Sequence, residues 1–352
     1  MFRTLLINPG STSTEVSLFQ EEREIRTVRM IHPPDELRNH PTILDQYPYR
    51  LHLLKNQIAA WGIQKGDLSA VVGRSALRKK ESGVYRVNEK MLSDMKTFLT
   101  HRGHAAGLGC MLAEEVGGLL GAPAYVVHFA PEPLPPLAGV SGIPLIERRP
   151  VYHVQNIREV AMVTAAALGK PWAEANLIVA HLEGGMSIAA FAGGRLMDVS
   201  NAFEEGPFTT ERSGALPVAS LVDLCFSGRY SAEAIHKMIR GEGGMVAYLG
   251  TNKIGEIEKR IAEGDEKAAF YLEAMCYQAA KEIGAMASVL KGQVDAVVLT
   301  GKLLESERAV RWIEERCRFI APVRTCPEQE APSFARAVLR VLRGEDTPKI
   351  YA

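Results

Sequence analysis

The sequence predicts an α/β protein built from two related halves, and three observations predict it. Apolar β-type runs alternate with long helical patterns along 352 residues, a length that suits two domains with sizeable cores. Leu5-Leu6-Ile7 leads into Asn8-Pro9-Gly10-Ser11-Thr12-Ser13-Thr14, and Val16-Ser17-Leu18-Phe19 leads out, which reads as two strands joined by a tight, hydroxyl-rich turn. The plan recurs half a chain later, where Leu177-Ile178-Val179-Ala180-His181-Leu182 runs through Glu183-Gly184-Gly185 into Ser187-Ile188-Ala189-Ala190-Phe191. Backbone N–H groups and Ser/Thr hydroxyls in such loops can surround a phosphate without a cation. The echo suggests a duplicated domain holding a nucleotide, with two ordinary Gly/Ser hairpins as the plainer alternative.

The remaining elements follow in order. Ala70-Val71-Val72 reads as a buried strand, and residues 104–120 as a helix opened by His104. Ala124-Tyr125-Val126-Val127 is a further strand, after which Pro131, Pro133, Pro135 and Pro136 stiffen a connection and mark a domain junction. The pattern predicts a long helix over 266–290, with Tyr271, Met275, Ala279, Ile283, Met286 and Leu290 on one face as core. A buried strand is expected over 294–299 and a last helix over 331–342.

Bulk composition excludes several functions. Lys+Arg and Asp+Glu both number 41, which argues against nucleic acid or an anionic membrane as the main partner. No run approaches 18 apolar residues, and the start lacks the layout of a signal peptide. Five cysteines without CxxC spacing predict free thiols in a reducing cytoplasm and no zinc site.

Further segments converge on phosphate chemistry. Arg212 lies between Glu211 and Ser213-Gly214, and its fixed fork of donors suits phosphate or carboxylate oxygens; a surface ion pair with Glu211 is the simpler alternative. Gly301 follows the 294–299 run, where glycine lets backbone approach a ligand at a strand's carboxyl end. His104 at a helix start and His181 at a strand end are candidates for the reacting centre, each weighed against a structural histidine.

Several motifs together resemble the butyrate kinases of the acetate kinase branch of actin/hexokinase-type phosphotransferases. They are the first loop, Gly206-Pro207-Phe208-Thr209, Glu211-Arg212-Ser213-Gly214, Leu224-Cys225-Phe226-Ser227-Gly228, Val246-Ala247-Tyr248-Leu249-Gly250-Thr251 and Ala337-Val338-Leu339-Arg340-Val341-Leu342-Arg343-Gly344. The resemblance implies a duplicated actin-like (ribonuclease H-like) two-domain fold of the acetate kinase type. Residues 1–130, completed by 331–352, would form the first domain and residues 131–330 the second. It implies ATP and Mg²⁺, ADP as co-product, transfer of the γ-phosphate to a short-chain carboxylate to give an acyl phosphate, and a homo-oligomer.

By the same resemblance, Asn8, Gly10, Ser11 and Ser13 match the first phosphate loop, Gly184 and Gly185 the second, and Gly301 an adenosine-contacting turn. Arg212 matches the arginine that stabilises the transferring phosphoryl group, with His104 and His181 beside the reacting centre. Arg74 matches a substrate-binding arginine and Glu330 a carboxylate associated with the metal. Six places depart from the family pattern. Glu15 replaces a lysine, Ser75-Ala76 replaces a glycine pair, and His128 replaces an acidic residue expected near the metal. Gly103-His104-Ala105-Ala106-Gly107 lacks a Glu and an Asn of the family motif. Glu183 and Lys302 replace glycines in the second loop and the adenosine turn. Two like unit charges 4 Å apart repel by roughly 4 kcal/mol at an effective dielectric of 20, so Glu183 is expected to oppose phosphate unless Lys302 offsets it. These departures leave a second reading open: a catalytically degenerate homologue acting as a binding or regulatory protein.

Overall fold

β-Branched and apolar runs set the strands. They are β1 (Arg3–Pro9), β2 (Ser13–Gln20), β3 (Arg23–Ile31), β4 (Ala70–Arg74), β5 (Gly83–Arg86), β6 (Ala124–His128), β7 (Asn176–Leu182), β8 (Met186–Ala192), β9 (Arg195–Val199), β10 (Ala296–Thr300), β11 (Val323–Thr325) and β12 (Lys349–Ile350). The structure, a computed structural model, describes residues 1–352 except Pro41, Ser75, Ala76, Arg78, Lys80, Arg102, Gly103, Glu328, Gln329 and the side chain of His101. The departures at Ser75, Ala76 and Gly103 therefore lie outside the described residues. The chain forms two compact units, Met1–Ala130 with Glu330–Ala352, and Pro131–Gln329.

The duplication is visible in the sheets. The first unit orders its strands β12-β5-β6-β4-β1-β2-β3 and the second β11-β10-β7-β8-β9. In each, an antiparallel three-strand meander (β1-β2-β3; β7-β8-β9) is extended by two parallel strands (β4, β6; β10, β11). A register shift interrupts the outer hairpin of both, at Leu18/Phe19 and at Ala190/Phe191. The first unit then adds β5, antiparallel to β6, and β12 beyond it.

Period-two alternation buries both faces of each sheet. Leu5, Ile7, Val16, Leu18 and Val71 pack with Leu54, Met91 and Leu112 from the helices Tyr47–Ala60, Glu89–His101 and Leu108–Leu120. Leu6, Phe19, Val72 and Val127 face Phe334 and Val338 of the returning helix Glu330–Leu342. In the second unit, Ile178, Ala180, Ile188 and Leu299 meet Met275, Ala279, Ile283 and Met286 of the helix Glu266–Val289. Leu177, Val179, Phe191 and Val298 cover Ile157 and Val160 of the helix Val154–Ala167.

Two local differences from the sequence reading have clear causes. His104 does not begin the α-helix; its Nδ1 accepts from the Ala106 N–H at 3.1 Å and caps a 3₁₀ turn, Ala105–Gly107, from which the helix starts at Leu108. The run from Val294 enters the sheet only at Ala296, because the Asp295 carboxylate accepts from the Asn176 N–H (2.9 Å) and from Lys170 (2.6 Å). The returning helix begins at Glu330, one residue before the expected domain boundary.

Candidate active site

In the first unit the candidate residues gather at the carboxyl ends of the parallel strands β1 and β4. Gly10 donates its N–H to the Ser13 carbonyl at 2.7 Å, closing a tight turn between β1 and β2. The loop's carbonyls are all engaged. Those of Gly10, Ser11 and Ser13 accept from the guanidinium of Arg50 at 2.9, 3.3 and 3.1 Å, and that of Thr12 accepts from the His32 N–H at 2.8 Å. The N–H groups of Ser11 and Thr12 have no acceptor among the described residues. Buried or not, backbone donors without partners are what an anion site offers. The Ser13 hydroxyl accepts from Arg29 Nε at 3.1 Å, so its side chain is already partnered.

Beside this loop, Arg74 at the end of β4 draws three candidates together. Its Nη1 donates to the Asn8 side-chain oxygen at 3.3 Å and its Nη2 pairs with Glu330 at 2.9 Å. The backbone there is tightly approached: a Cβ on Gly109 would lie 1.9 Å from the Arg74 carbonyl oxygen, and one on Gly73 2.2 Å from that of Gly109. Glycine at both positions lets the helix Leu108–Leu120 seat against β4. His104 accepts at Nδ1, which leaves its proton on Nε2, available to donate. Although the residue is exposed, desolvation of the ring, then the positive charges of Arg74 and Arg50, hold its pKa below the ordinary histidine value.

The departures in this unit have structural partners. His128, where the resemblance expects an acidic residue, ends β6 and donates Nε2–H to the Lys79 carbonyl at 2.8 Å; burial pushes its pKa down. A ring held in that way is not a hard oxygen ligand. Glu15 sits in β2 opposite Asn8 of β1 and Arg29 of β3. Among the described residues, no group of three or more His, Cys, Asp or Glu could hold a metal ion. Magnesium, however, usually takes only one or two protein carboxylates and completes its shell with water and substrate phosphates. Glu330, paired with Arg74, carries a carboxylate of the hard-oxygen kind that magnesium takes, so the donor chemistry fits.

In the second unit the equivalent ends belong to β7 and β10, with Thr300 in register with His181. His181 is 1% exposed. Asn156 donates its side-chain N–H to His181 Nδ1 at 2.8 Å and to Thr300 Oγ1 at 3.3 Å, so the ring proton sits on Nε2. That Nε2 faces a Glu183 oxygen at 3.5 Å, and the ring stacks on His153 with centroids 3.9 Å apart. Glu183 and Lys302, the two replaced glycines, form an ion pair. Burial alone would raise the Glu183 pKa; His181 and Lys302 outweigh it and hold the carboxyl at about 2. Gly301 adopts φ +93°, and a Cβ there would lie 2.6 Å from the Leu182 carbonyl oxygen, so only glycine fits where β10 leaves the sheet beside β7.

Arg212 completes this half. A Cβ on Gly185 would lie 2.3 Å from its Nη1, so the guanidinium rests directly on the second loop. Nη1 donates to the Ala202 carbonyl at 2.7 Å, while Nε is buried without a partner among the described residues. The guanidinium carbons of Arg212 and Arg240 both lie over the Phe203 ring, 4.7 and 4.0 Å from its centroid. Burial pushes the Arg212 pKa down, Glu211 opposes this, and Arg240 adds to it. The Thr209 hydroxyl binds the loop to the arginine, donating to the Gly184 carbonyl at 2.7 Å and accepting from the Arg212 N–H at 3.0 Å. The surface ion pair expected as the simpler alternative is absent from the ion pairs of the described residues; Glu211 accepts instead from Asn252 at 3.2 Å.

Sequence reasoning missed Arg50, Asn156 and His153. Arg50 lies 40 residues from Gly10 on a helix of mixed polarity, and nothing in that helix alone marks it as buried.

Comparisons with known proteins bear on the family and the fold. The chain is 41% identical to butyrate kinase 1 of Clostridium acetobutylicum over 355 aligned residues, covering all of both chains. It is equally 41% identical to a probable butyrate kinase 2 of Caldanaerobacter subterraneus subsp. tengcongensis, again over the full length of both. Among solved structures, Porphyromonas gingivalis acetate kinase superposes with a TM-score of 0.78 at 18% identity, covering 97% of this chain and 100% of that one. A propionate kinase from Francisella tularensis gives 0.73 at 17% identity, covering 96% and 99%. The fold is thus the actin-like fold of the acetate kinases. The profile of the Acetokinase family matches residues 145–320, and with the full-length relatives it shows that this chain belongs to the acetokinase family.

Proposed function

We propose that the protein is a butyrate kinase, moving the γ-phosphate of ATP reversibly onto a short-chain carboxylate: butanoate and ATP give butanoyl phosphate and ADP. One observation carries the reading on the structural side. Arg212 is a half-buried arginine with a buried, unspent Nε donor, resting on a glycine loop in a chain with full-length butyrate kinase relatives. Leaving a buried donor unpaired costs about 1–3 kcal/mol, which a bound anion would recover.

In the forward step a carboxylate oxygen attacks the γ-phosphorus, the bond to the bridging oxygen breaks, and its electron pair leaves on ADP. No proton has to move. Positioning and charge neutralisation therefore dominate. Arg212 would neutralise the transferring phosphoryl group. The Ser11 and Thr12 amides would seat phosphate oxygens, with Asn8 and Arg74 beside them, and His104 would donate Nε2–H to an oxygen. Gly184, Gly185 and Gly301 would keep backbone close to nucleotide. His181 would orient the second loop through Glu183. Glu330 would hold magnesium, whose charge offsets that of the phosphates. Lys302 is placed to offset Glu183, so the pair need not repel a nucleotide. The comparisons favour this reading over a degenerate homologue, since both full-length relatives bear butyrate kinase names.

The test is direct. Purified protein with MgATP and acetate, propionate, butyrate or valerate should form an acyl phosphate that hydroxylamine traps as the hydroxamate, with butyrate among the best substrates. No hydroxamate from any of the four would reject the proposal.

The same reading includes a homodimer acting in the cytoplasm. The helix Val218–Cys225 buries none of its residues, and Val218 (72% exposed) and Phe226 (87%) stand in solvent beside a cavity of about 510 Å³ lined by Leu216, Leu221, Ile235 and Phe270. Contiguous apolar surface of this kind marks an interface, and a second copy in closed two-fold symmetry is the commonest occupant. Light scattering at micromolar concentration should give twice the chain mass, and Phe226→Asp should halve it. A wild-type monomer would remove the dimer from the proposal. No helix among the described residues is long and apolar enough to cross a membrane.

A further inference from the structure

Arg50 is the largest fully buried side chain of the described residues, at 0% exposure, and no carboxylate pairs with it. Its guanidinium makes six hydrogen bonds, every one to a neutral oxygen. They go to the carbonyls of Gly10, Ser11 and Ser13, to the Thr14 hydroxyl at 3.0 Å, and twice to the Gln46 side-chain oxygen at 2.8 and 3.2 Å. Burial lowers its pKa only to about 10, so it stays charged at neutral pH. Its neighbour His32, sharing a 2.8 Å hydrogen bond with Thr14, is held neutral by burial and by the Arg50 charge, with a pKa of about 4.

A buried cation with no counter-charge is costly and persists where something else uses the charge. The loop above it supplies the use. Because Arg50 and His32 take all four carbonyls from Gly10 to Ser13, the Ser11 and Thr12 amides are left for a ligand. We propose that Arg50 is a positioning residue for phosphate, fixing the first loop by its carbonyls and lending the anion a positive charge from beneath. The counter-ion missing from the protein is the substrate's phosphate. This rests on the reading of Asn8–Ser13 as a phosphate loop.

Gln46→Glu separates this role from simple stapling. A carboxylate at that site keeps both acceptor bonds to Arg50 and cancels its charge, so a purely structural Arg50 predicts unchanged or higher thermal stability and unchanged binding. If the charge serves phosphate, calorimetry should show MgATP bound about tenfold more weakly, the scale expected for one buried unit charge close to an anion. KM for ATP should rise while KM for butyrate holds, with the melting temperature kept or raised. Arg50→Lys, which keeps charge but cannot span the carbonyls, should weaken MgATP as well; should it fail to fold, Gln46→Glu alone decides. Asn8→Ala reports on the loop itself. Wild-type MgATP affinity in Gln46→Glu, with weakened affinity in Asn8→Ala, overturns the proposal and spares the phosphate loop. Unchanged affinity in both overturns the loop assignment and the proposal with it.

Discussion

Arg212→Ala is expected to lower turnover by about 10³-fold or more, the scale of arginines that neutralise a transferring phosphoryl group. The magnitude follows from where the charge sits. The side chain is half-buried, holds the Ala202 carbonyl through Nη1, and keeps a buried Nε unspent, so water screens its charge only in part. Alanine would also leave Arg240 as the sole cation on Phe203 and free the Ala202 carbonyl. Those losses are local, and the fold should survive them. The rate of hydroxamate formation measured beside the melting temperature checks both parts. A folded variant that retains most of its activity would remove Arg212 from the mechanism.

Gly185→Ala is expected to do nearly the same damage from the other side of the contact. The added methyl would meet Arg212 Nη1 at 2.3 Å and its central carbon at 2.6 Å, and no backbone atom is among its nearest neighbours. A guanidinium at the end of a flexible chain yields before a strand does. Gly185 does not have a left-handed φ, so alanine is compatible with its backbone. The variant should therefore melt within a few degrees of wild type, while kcat falls about 10²-fold through displacement of the arginine by roughly an ångström. A large drop in melting temperature, or unchanged kcat, would show that the loop and the arginine are not coupled in this way.

Much of this was legible in the sequence, and the reason is periodicity. The β1–β2 hairpin, its echo in β7–β8 and the stripe on the helix Glu266–Val289 are strong local signals; the sheets repeat the two hairpins in one plan, and the stripe packs into the second unit's core. The opposite charges of Glu183 and Lys302 were legible as a candidate offset, and the structure joins them in an ion pair. What escaped depends on distant partners. β5 and β12, of four and two residues, are too short to register as apolar runs. Arg50 reads as an ordinary helical arginine until β1 and β2 close a loop over it. His128 reads as a lost metal ligand, whereas its ring has a place of its own against the Lys79 carbonyl. The departures looked damaging because sequence shows which residue is replaced and not what the newcomer binds.

The chain leaves the first unit at Ala130 and re-enters it at Glu330, about two hundred residues later. Until it does, Leu6, Phe19, Val72 and Val127 have no Phe334 or Val338 to cover them, and β5 has no β12 at its edge. During synthesis, at about 5–20 residues per second, this oily sheet face waits on the order of ten seconds or more. The second unit, continuous in sequence, can close first. A ribosome-bound chain is thus a folded second unit tethered to an unfinished first one, and that exposed face is where a chaperone would bind and where aggregation would begin.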